Sequence, residues 1–207
     1  MGTVLLVGVA LIAAYLIGSL SGSLLLARAF GRADPRASGS GNAGATNALR
    51  TGGRGYGAAV LVFDLVKGVV AALLLPALFG LGFAAALACG AAAVIGHVYP
   101  VFFGFRGGKG AATLIGVLLA LLPGALLLGV AVWIATLVAT GYVGLATLLG
   151  MVGVALATLF APAAGAAAKL FVIAMTALIF YTHRENIRRL RAGNENRFER
   201  VMLRRKR

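Results

Sequence analysis

Long apolar runs separated by short polar segments make up the sequence. The runs are continuous Leu, Ala, Val and Gly, without the polar–apolar alternation of membrane barrel strands, so they predict helices. A bilayer core of about 30 Å needs about 20 residues of helix, and several runs reach that length. We therefore predict an all-α, polytopic integral membrane protein with about seven transmembrane helices. The predicted spans are residues 3–27, 56–78, 83–103, 111–122, 124–140, 143–160 and 165–181.

The region 111–160 is assigned three of these spans, because as one helix it would extend roughly 75 Å. Pro123-Gly124 and Gly141-Tyr142 are natural breaks within it. The span 111–122 is short and is expected to reach only part of the way across the bilayer. The alternative is a count of five or six spans, in which two of the middle ones are merged.

Charge distribution predicts the orientation of these spans. Of the 207 residues, 61% are hydrophobic and only 12% are charged, whereas a soluble domain averages about 25% charged residues. The net charge is +14, and all but two of the 19 basic residues fall in three segments, residues 28–54, 106–109 and 184–207. Basic residues mark cytoplasmic loops, so the three segments are predicted to meet on that side, with the N-terminus outside and the C-terminus in the cytoplasm. A nucleic-acid partner is disfavoured, because no aromatic residues interleave with the charges.

The chain shows neither a soluble segment nor an internal repeat. We therefore expect one membrane-embedded domain over residues 1–207, with cytoplasmic motif segments at about 28–55, 104–110 and 182–207. Within the second span, Asp64 and Lys67 lie one helical turn apart. Ionisable residues in a span are candidates for function, and a mutual salt bridge is the structural alternative.

The first motif segment, residues 37–50, combines glycines with polar side chains and one arginine. Glycine lets a ligand approach the backbone closely, and successive N–H groups can then surround an anion. Ser40, Asn42, Thr46 and Asn47 add side-chain donors, and Arg50 adds a cation suited to phosphate. This composition favours a phosphate site over the alternative, a flexible polar linker.

The second motif segment ends in Gly107-Gly108-Lys109 ahead of an apolar helix. Glycine backbone donors, a lysine and a helix N-terminus together favour an anion. The pattern is not a nucleotide-binding Walker A loop, because Gly110 stands where Ser or Thr is required. His97, near the end of the third span, is equally compatible with a packing role and a site role.

The third motif segment follows the last span. On a helix, His183, Asn186 and Arg189 share one face and could present an acid–base group, an amide and a cation to one ligand. Histidine suits proton transfer near neutral pH. The alternative, a basic tail lying on anionic lipid headgroups, suits residues 200–207 better.

Three stretches, in this order along the chain, resemble the bacterial acyl-phosphate:glycerol-3-phosphate acyltransferase family of the PlsY type. They are GSGNAGATNALR at 39–50, GHVYPVFFGFRGGKGAAT at 96–113 and HRENIRRLRAGNE at 183–195. The sequence departs from the family at residues 18–21, where Gly-Ser-Leu-Ser replaces the usual Gly-Ser-Ile-Pro. A missing proline is expected to change helix shape more than chemistry.

The resemblance implies an enzyme that transfers a fatty acyl group from acyl phosphate to the 1-hydroxyl of glycerol 3-phosphate, giving lysophosphatidic acid and inorganic phosphate for phospholipid synthesis. It implies an acyl donor that is neither acyl-CoA nor acyl carrier protein. In agreement, the His-x4-Asp signature of other glycerolipid acyltransferases is absent, because Phe102 and Arg188 stand at the Asp positions. The resemblance also implies the bacterial inner membrane, a site facing the cytoplasm, and no metal, cofactor or obligate protein partner.

By motif position, the residues expected to act in the reaction are His183, Ser40, Asn186 and Lys109. Those expected to bind substrate are Ser40, Gly41, Asn42, Ala45, Thr46, Asn47, Arg50, His97, Gly107, Gly108, Lys109, His183 and Asn186. His183 is the candidate base, and a substrate phosphate is the rival candidate. The alternative functions are a transporter of a small phosphorylated solute and a lipid-binding scaffold with a basic tail.

Overall fold

The computed structural model describes residues 2–198, which form helices and connecting loops without a β-strand. The chain divides into two compact units, Met1–Leu121 and Leu122–Arg207. The first unit contains the α-helices α1 (Gly2–Ser19), α2 (Gly22–Ala29), α3 (Ala45–Leu78), α4 (Phe83–Val98) and α5 (Ala111–Leu121), with 3-10 turns at Pro35–Ala37 and Val101–Phe103. The second contains α6 (Pro123–Thr140), α7 (Val143–Phe160), α8 (Ala166–Thr182) and α9 (Arg184–Arg191). The all-α prediction is confirmed, and the prediction of one domain stays a prediction.

Five segments of the described chain are long and apolar enough to cross a membrane: α1, α3, α4 with its following turn, α6 and α7. The pair α8 and α9, bent by 56° at its junction, gives up to a sixth span. The predicted short span at 111–122 is α5, whose 11 residues extend only about 16 Å. The polytopic fold is confirmed, while the count of seven and the orientation of the termini stay predictions.

The prediction of one continuous first span over residues 3–27 is wrong. The helix stops at Ser19 and restarts at Gly22, with Ser21 in an extended conformation between them. A break leaves carbonyls without partners at the end of α1 and N–H groups without partners at the start of α2. Lys67 Nζ donates to the carbonyls of Gly18 and Leu20, both at 2.9 Å, and Gly22 N donates to Asp64 Oδ1 at 3.3 Å.

Asp64 and Lys67 therefore stabilise the break from both sides. Their predicted salt bridge is confirmed, with Nζ and Oδ1 2.9 Å apart and both side chains buried. A break inside a membrane span is tolerated where side chains satisfy the freed backbone groups. The pair thus satisfies backbone groups at a break that forms without a proline.

The segment 28–55, which the sequence places between the first two spans, is not a loop throughout. Helix α3 begins at Ala45 and is interrupted at Gly53, whose φ of 84° and ψ of −179° are not helical. The short part, residues 45–52, folds back on the long part, so that a Cβ on Gly57 would lie 2.7 Å from the Leu49 Cα. Only glycine adopts this backbone conformation readily, which is why the chain turns there. The long part matches the predicted second span at 56–78.

The third predicted span, residues 83–103, matches an apolar segment that consists of α4, which ends at Val98, and the 3-10 turn Val101–Phe103. Pro100 ends the helix, because it has no N–H and disfavours a helical residue before it. The close contact of α1 with α4 depends on small residues: a Cβ on Gly18 would overlap the Ala93 backbone, and one on Gly96 would overlap the Tyr15 carbonyl. This packing fixes the end of α4 from which the second motif segment starts.

In the second unit, α6 and α7 form a helical hairpin. Gly141 turns the chain in the left-handed conformation, with φ of 75°, and its N–H donates to the Leu137 carbonyl at 2.7 Å. The Trp133 indole donates to Thr147 Oγ1 across the hairpin at 3.3 Å. The predicted boundaries of α6, α7 and α8 hold to within one residue.

Candidate functional site

Asn47 organises the first motif segment. Its side chain is 1% exposed, and its Nδ2 donates to the carbonyls of Pro35 at 2.7 Å and Ser38 at 3.1 Å. Its Oδ1 accepts from the Ser40 backbone N–H at 2.8 Å and lies 3.2 Å from Ser40 Oγ. Both donors and both acceptor positions of the amide are therefore used within the loop. The side chain predicted to contact substrate thus fixes the position of Ser40, and its contact with substrate stays a prediction.

The loop that Asn47 holds leads directly into the N-terminus of α3. Gly44 caps the helix in an extended conformation and its carbonyl accepts from the Ala48 N–H at 3.0 Å. The N–H groups of Ala45, Thr46 and Asn47 have no acceptor within the helix. They form the positive end of the helix dipole. Ser40, half-buried, lies on the same loop. Backbone donors and a hydroxyl in this arrangement can hold a phosphate.

The second motif segment folds back over the end of α4. Gly107 N donates to the Val98 carbonyl and Gly108 N to the His97 carbonyl, both at 3.1 Å. A Cβ on Gly108 would overlap His97 Nε2 and lie 2.9 Å from the Ala43 carbonyl. The structure therefore brings the first two motif segments into contact at Gly108, and Lys109 lies two residues before α5 begins at Ala111.

His97 connects this contact to the buried ion pair. The residue is 2% exposed, and its Nδ1 lies 3.5 Å from Asp64 Oδ1. The opposite side of the ring, at Nε2, packs against Gly108. His97 is thus a packing residue directly behind a motif glycine, and its predicted contact with substrate stays a prediction.

Arg36 joins the two motif segments at a second point. Its Nη1 donates to the carbonyls of Phe103 at 3.0 Å and Arg106 at 3.1 Å, while its Nε and Nη2 bind the Asp34 carboxylate. The hydrogen bond from Arg36 lowers the pKa of Asp34 below its ordinary value, so the pair stays ionised. Sequence reasoning missed this contact, because Asp34 was only one acidic residue in a basic segment.

In the second unit, His183 lies at the junction of α8 and α9 and is 5% exposed. Its Nδ1 is 2.8 Å from the Ile179 carbonyl, which can only accept a hydrogen bond. Nδ1 therefore carries the hydrogen, and in the neutral ring Nε2 carries the lone pair. This tautomer is the one that lets Nε2 accept a proton.

Asn186 is held in place by a residue that the sequence analysis gave no role. Glu195 Oε1 accepts from Asn186 Nδ2 at 2.7 Å, and Glu195 Oε2 pairs with Arg189 Nε at 2.6 Å. Asn186 also packs on α7, where a Cβ on Gly144 would lie 2.8 Å from its Nδ2. The common face predicted for Asn186 and Arg189 is therefore confirmed by a shared carboxylate. A lone glutamate soon after a run of arginines was the available signal.

The residues after α9 turn back in the second unit. Asn194 N donates to the Arg189 carbonyl at 3.0 Å, and Phe198 N donates to the Gly141 carbonyl at 2.8 Å. The tail segment predicted to lie on lipid headgroups, residues 200–207, is outside the described residues. Within residues 2–198, no three His, Cys, Asp or Glu side chains form a group that could hold a metal ion. The expectation of no metal or cofactor stays a prediction.

Comparison with known proteins covers nearly all of the described chain. A family model for glycerol-3-phosphate acyltransferase matches residues 8–193. The glycerol-3-phosphate acyltransferase of Pseudomonas paraeruginosa is 46% identical over 187 residues, which are 90% of this chain and 97% of the relative. That of Brucella canis is 47% identical over 187 residues, 90% of each chain.

Two crystal structures of PlsY (YgiH), an integral membrane glycerol 3-phosphate acyltransferase, share the fold. The glycerol 3-phosphate form matches with a TM-score of 0.86 and 41% identity over 93% of this chain and 95% of that one. The lysophosphatidic acid form matches with a TM-score of 0.84 and 40% identity, with the same coverage. The motif geometry, the family match and these structures together assign the chain to the PlsY-type glycerol-3-phosphate acyltransferase family.

Proposed function

We propose that the acyl donor is an acyl phosphate and that the product is lysophosphatidic acid. The 1-hydroxyl oxygen of glycerol 3-phosphate attacks the acyl carbon, the bond from that carbon to the phosphate oxygen breaks, and inorganic phosphate leaves with its electron pair. The hydroxyl proton passes to a base. Because acyl phosphate is already activated, no covalent acyl-enzyme is required.

The arrangement around Ser40 carries this proposal. Asn47 fixes the Ser40 backbone at 2.8 Å, and Ser40 is followed by the N-terminus of α3, whose first N–H groups favour an anion. Lys109, which follows the glycine that contacts this loop at Ala43, adds an ammonium donor, whereas the Gly108 N–H is already bonded to the His97 carbonyl. Two phosphorylated substrates require two sets of anion-binding groups, and these loops offer both.

Within that site, Ser40, Arg50 and Lys109 are assigned to glycerol 3-phosphate, with backbone contacts from Ala45 and Gly108. Asn42 and Thr46, both half-buried, are assigned to acyl phosphate or to the developing oxyanion. Donors aimed at such an oxyanion contribute roughly 3–4 kcal/mol each.

His183 is the proposed base, with Asn186 as a substrate-binding amide. Support comes from the Nδ1 hydrogen bond to Ile179, which leaves the Nε2 lone pair as the proton acceptor of the neutral ring.

We further propose that the motif segments face the cytoplasm of a bacterial inner membrane, in line with the distribution of basic residues. Holding both substrates in line can lower the activation barrier by several kcal/mol, since good alignment is worth up to about 7–11 kcal/mol.

The test is phosphate release from purified protein given palmitoyl phosphate, with and without glycerol 3-phosphate, alongside palmitoyl-CoA as an alternative donor. We expect release only with both substrates, in equal amount with lysophosphatidic acid, and no product from palmitoyl-CoA. Lys109→Ala should abolish turnover, whereas Lys169→Ala, on α8 outside the motif segments, should not. Product formed from palmitoyl-CoA but not from palmitoyl phosphate would refute the proposed donor.

The base is tested separately. If His183 is the base, His183→Ala should lose turnover while calorimetry shows that glycerol 3-phosphate still binds. If a substrate phosphate is the base, the variant should instead lose affinity and recover its rate at high substrate concentration.

A further inference from the structure

A basic pocket in the first unit contains none of the residues assigned to the reaction. It has a volume of about 230 Å³ and lies between α2, the following turn and Phe103. Its wall includes the cations Arg28, Arg32 and Arg36, the carboxylate of Asp34, and the apolar side chains of Leu24 and Phe103.

The charge of the pocket comes from Arg28 and Arg32. Arg36 is already neutralised, because its guanidinium binds the Asp34 carboxylate with a shortest distance of 2.7 Å and also donates to two backbone carbonyls. Among the described residues, neither Arg28 nor Arg32 forms a salt bridge, although the charge of Arg28 acts on the nearby Asp34 carboxylate. The pocket therefore presents two positive charges.

Both of these guanidinium groups are held by aromatic rings. Arg28 lies over Phe103 and Arg32 over Tyr56, each 4.9 Å from the ring centroid. Stacking occupies the face of a guanidinium and leaves the N–H groups around its edge available. Arg32 uses one of them on the Gly52 carbonyl at 3.3 Å. Edge-on N–H pairs are the geometry that binds phosphate oxygens.

Apolar surroundings distinguish this pocket from a site for a soluble anion. Leu24 and Phe103, which line it, are buried, at 3% and 7% exposure. Nearby in the chain, Phe30, Phe102 and Phe105 expose 67%, 52% and 57% of their surface. Exposed aromatic rings beside arginines are typical of the membrane–water interface, where lipid phosphates also lie.

We propose that Arg28 and Arg32 form a binding site for the phosphate group of an anionic membrane phospholipid, separate from the substrate site. The edge N–H groups of both arginines bind the phosphate oxygens, and the acyl chains lie toward the exposed phenylalanines. Through Arg36, the pocket wall is tied to the second motif segment at Phe103 and Arg106. The site concerns lipid binding and does not depend on the identity of the acyl donor.

The experiment titrates phosphatidylglycerol or phosphatidylcholine into the detergent-purified full chain and measures bound lipid by native mass spectrometry. The variants are Arg28→Gln/Arg32→Gln, the charge-retaining Arg28→Lys/Arg32→Lys, and Arg54→Gln as an exposed control. We expect the wild type to prefer phosphatidylglycerol and the glutamine pair to lose affinity by roughly fivefold for each arginine. The lysine pair should fall between them, because it keeps charge but loses the planar fork.

Several results would overturn the proposal. One is a wild type that binds both lipids equally, and this arm holds even if the glutamine variant does not fold. Another is a glutamine pair that binds phosphatidylglycerol as Arg54→Gln does. Displacement of the lipid by equimolar inorganic phosphate or glycerol 3-phosphate would identify a soluble anion as the ligand instead. Phosphate release with palmitoyl phosphate, measured on the same samples, reports the proposed reaction independently.

Discussion

Replacing Asn47 with Asp tests whether this side chain holds the loop or touches substrate. The substitution keeps size and shape but exchanges the Nδ2 donors for a carboxylate oxygen. That oxygen then faces the carbonyls of Pro35 and Ser38, which Nδ2 approaches at 2.7 and 3.1 Å. The acceptor side toward Ser40 is retained, so the change is confined to two hydrogen bonds.

The magnitude follows from those two bonds. The bond to Pro35 is buried, and leaving a buried carbonyl without a donor costs about 1–3 kcal/mol. The bond to Ser38 is partly buried and is worth about 0.5–1.5 kcal/mol. The variant should therefore lose about 2–4 kcal/mol in the folded loop. Displacing Ser40 by about 1 Å should reduce kcat/KM by about a hundredfold.

Thermal melting in detergent and steady-state kinetics with palmitoyl phosphate and glycerol 3-phosphate measure the two effects. Ser38→Asp is the control, because Ser38 is exposed on the same loop, has no assigned role in the reaction and gains the same negative charge. Repulsion of a phosphorylated substrate is common to both variants, so their difference reports the geometry of the loop. We expect Asn47→Asp to melt lower and to be the slower enzyme.

Equal melting and equal kcat/KM for the two variants would refute the reasoning. A variant at Asn47 that keeps its melting temperature but loses turnover would show instead that Asn47 contacts substrate directly.

Three further predictions concern the rest of the structure. Glu195→Gln should lower the free energy of unfolding by about 1–3 kcal/mol, because it weakens the buried interaction with Asn186 and Arg189. Glu185→Gln, in an exposed pair, should change it by less than about 1 kcal/mol, and equal effects would contradict the prediction. Gly108→Ala should lower kcat at least tenfold by displacing the second motif segment, and Gly55→Ala, whose Cβ meets open space, should leave kcat unchanged. The pKa of Asp34 is lowered in the folded protein, so the pair with Arg36 adds stability above the ordinary carboxyl pKa of about 3.9 and loses this contribution at lower pH. The melting temperatures of wild type and Asp34→Asn should therefore differ at pH 6 and converge toward pH 3.

The boundaries of the later helices could be predicted because local signals fix them. Pro123 begins α6 and Gly141 ends it in a left-handed turn, and both effects act within a residue or two. The motif segments were found for a related reason, since glycines beside polar residues are conspicuous between apolar runs. In these places the short-range sequence carries the structural information.

The break between α1 and α2 could not be predicted in this way. Its stability comes from Lys67, which is 49 residues from the Gly18 carbonyl, and from Asp64, which is 42 residues from Gly22. The role of Asn47 is similar, because its composition suggested a ligand while its four contacts lie in the loop itself. Residue type indicated that these polar groups matter, and only tertiary contacts show what they bind.

The buried pair gives a reason why a membrane protein retains charges at the break. Lys67 and Asp64 stabilise the ends of α1 and α2, and Asp64 also approaches Nδ1 of His97, whose other side packs on Gly108. The same carboxylate thus fixes the bend and lies one ring away from the second motif segment. Apolar residues could fill this volume, but they could not satisfy the backbone groups of a broken span. Burying two charges costs free energy, and this cost is offset because the pair satisfies the helix ends and positions His97 behind the second motif segment.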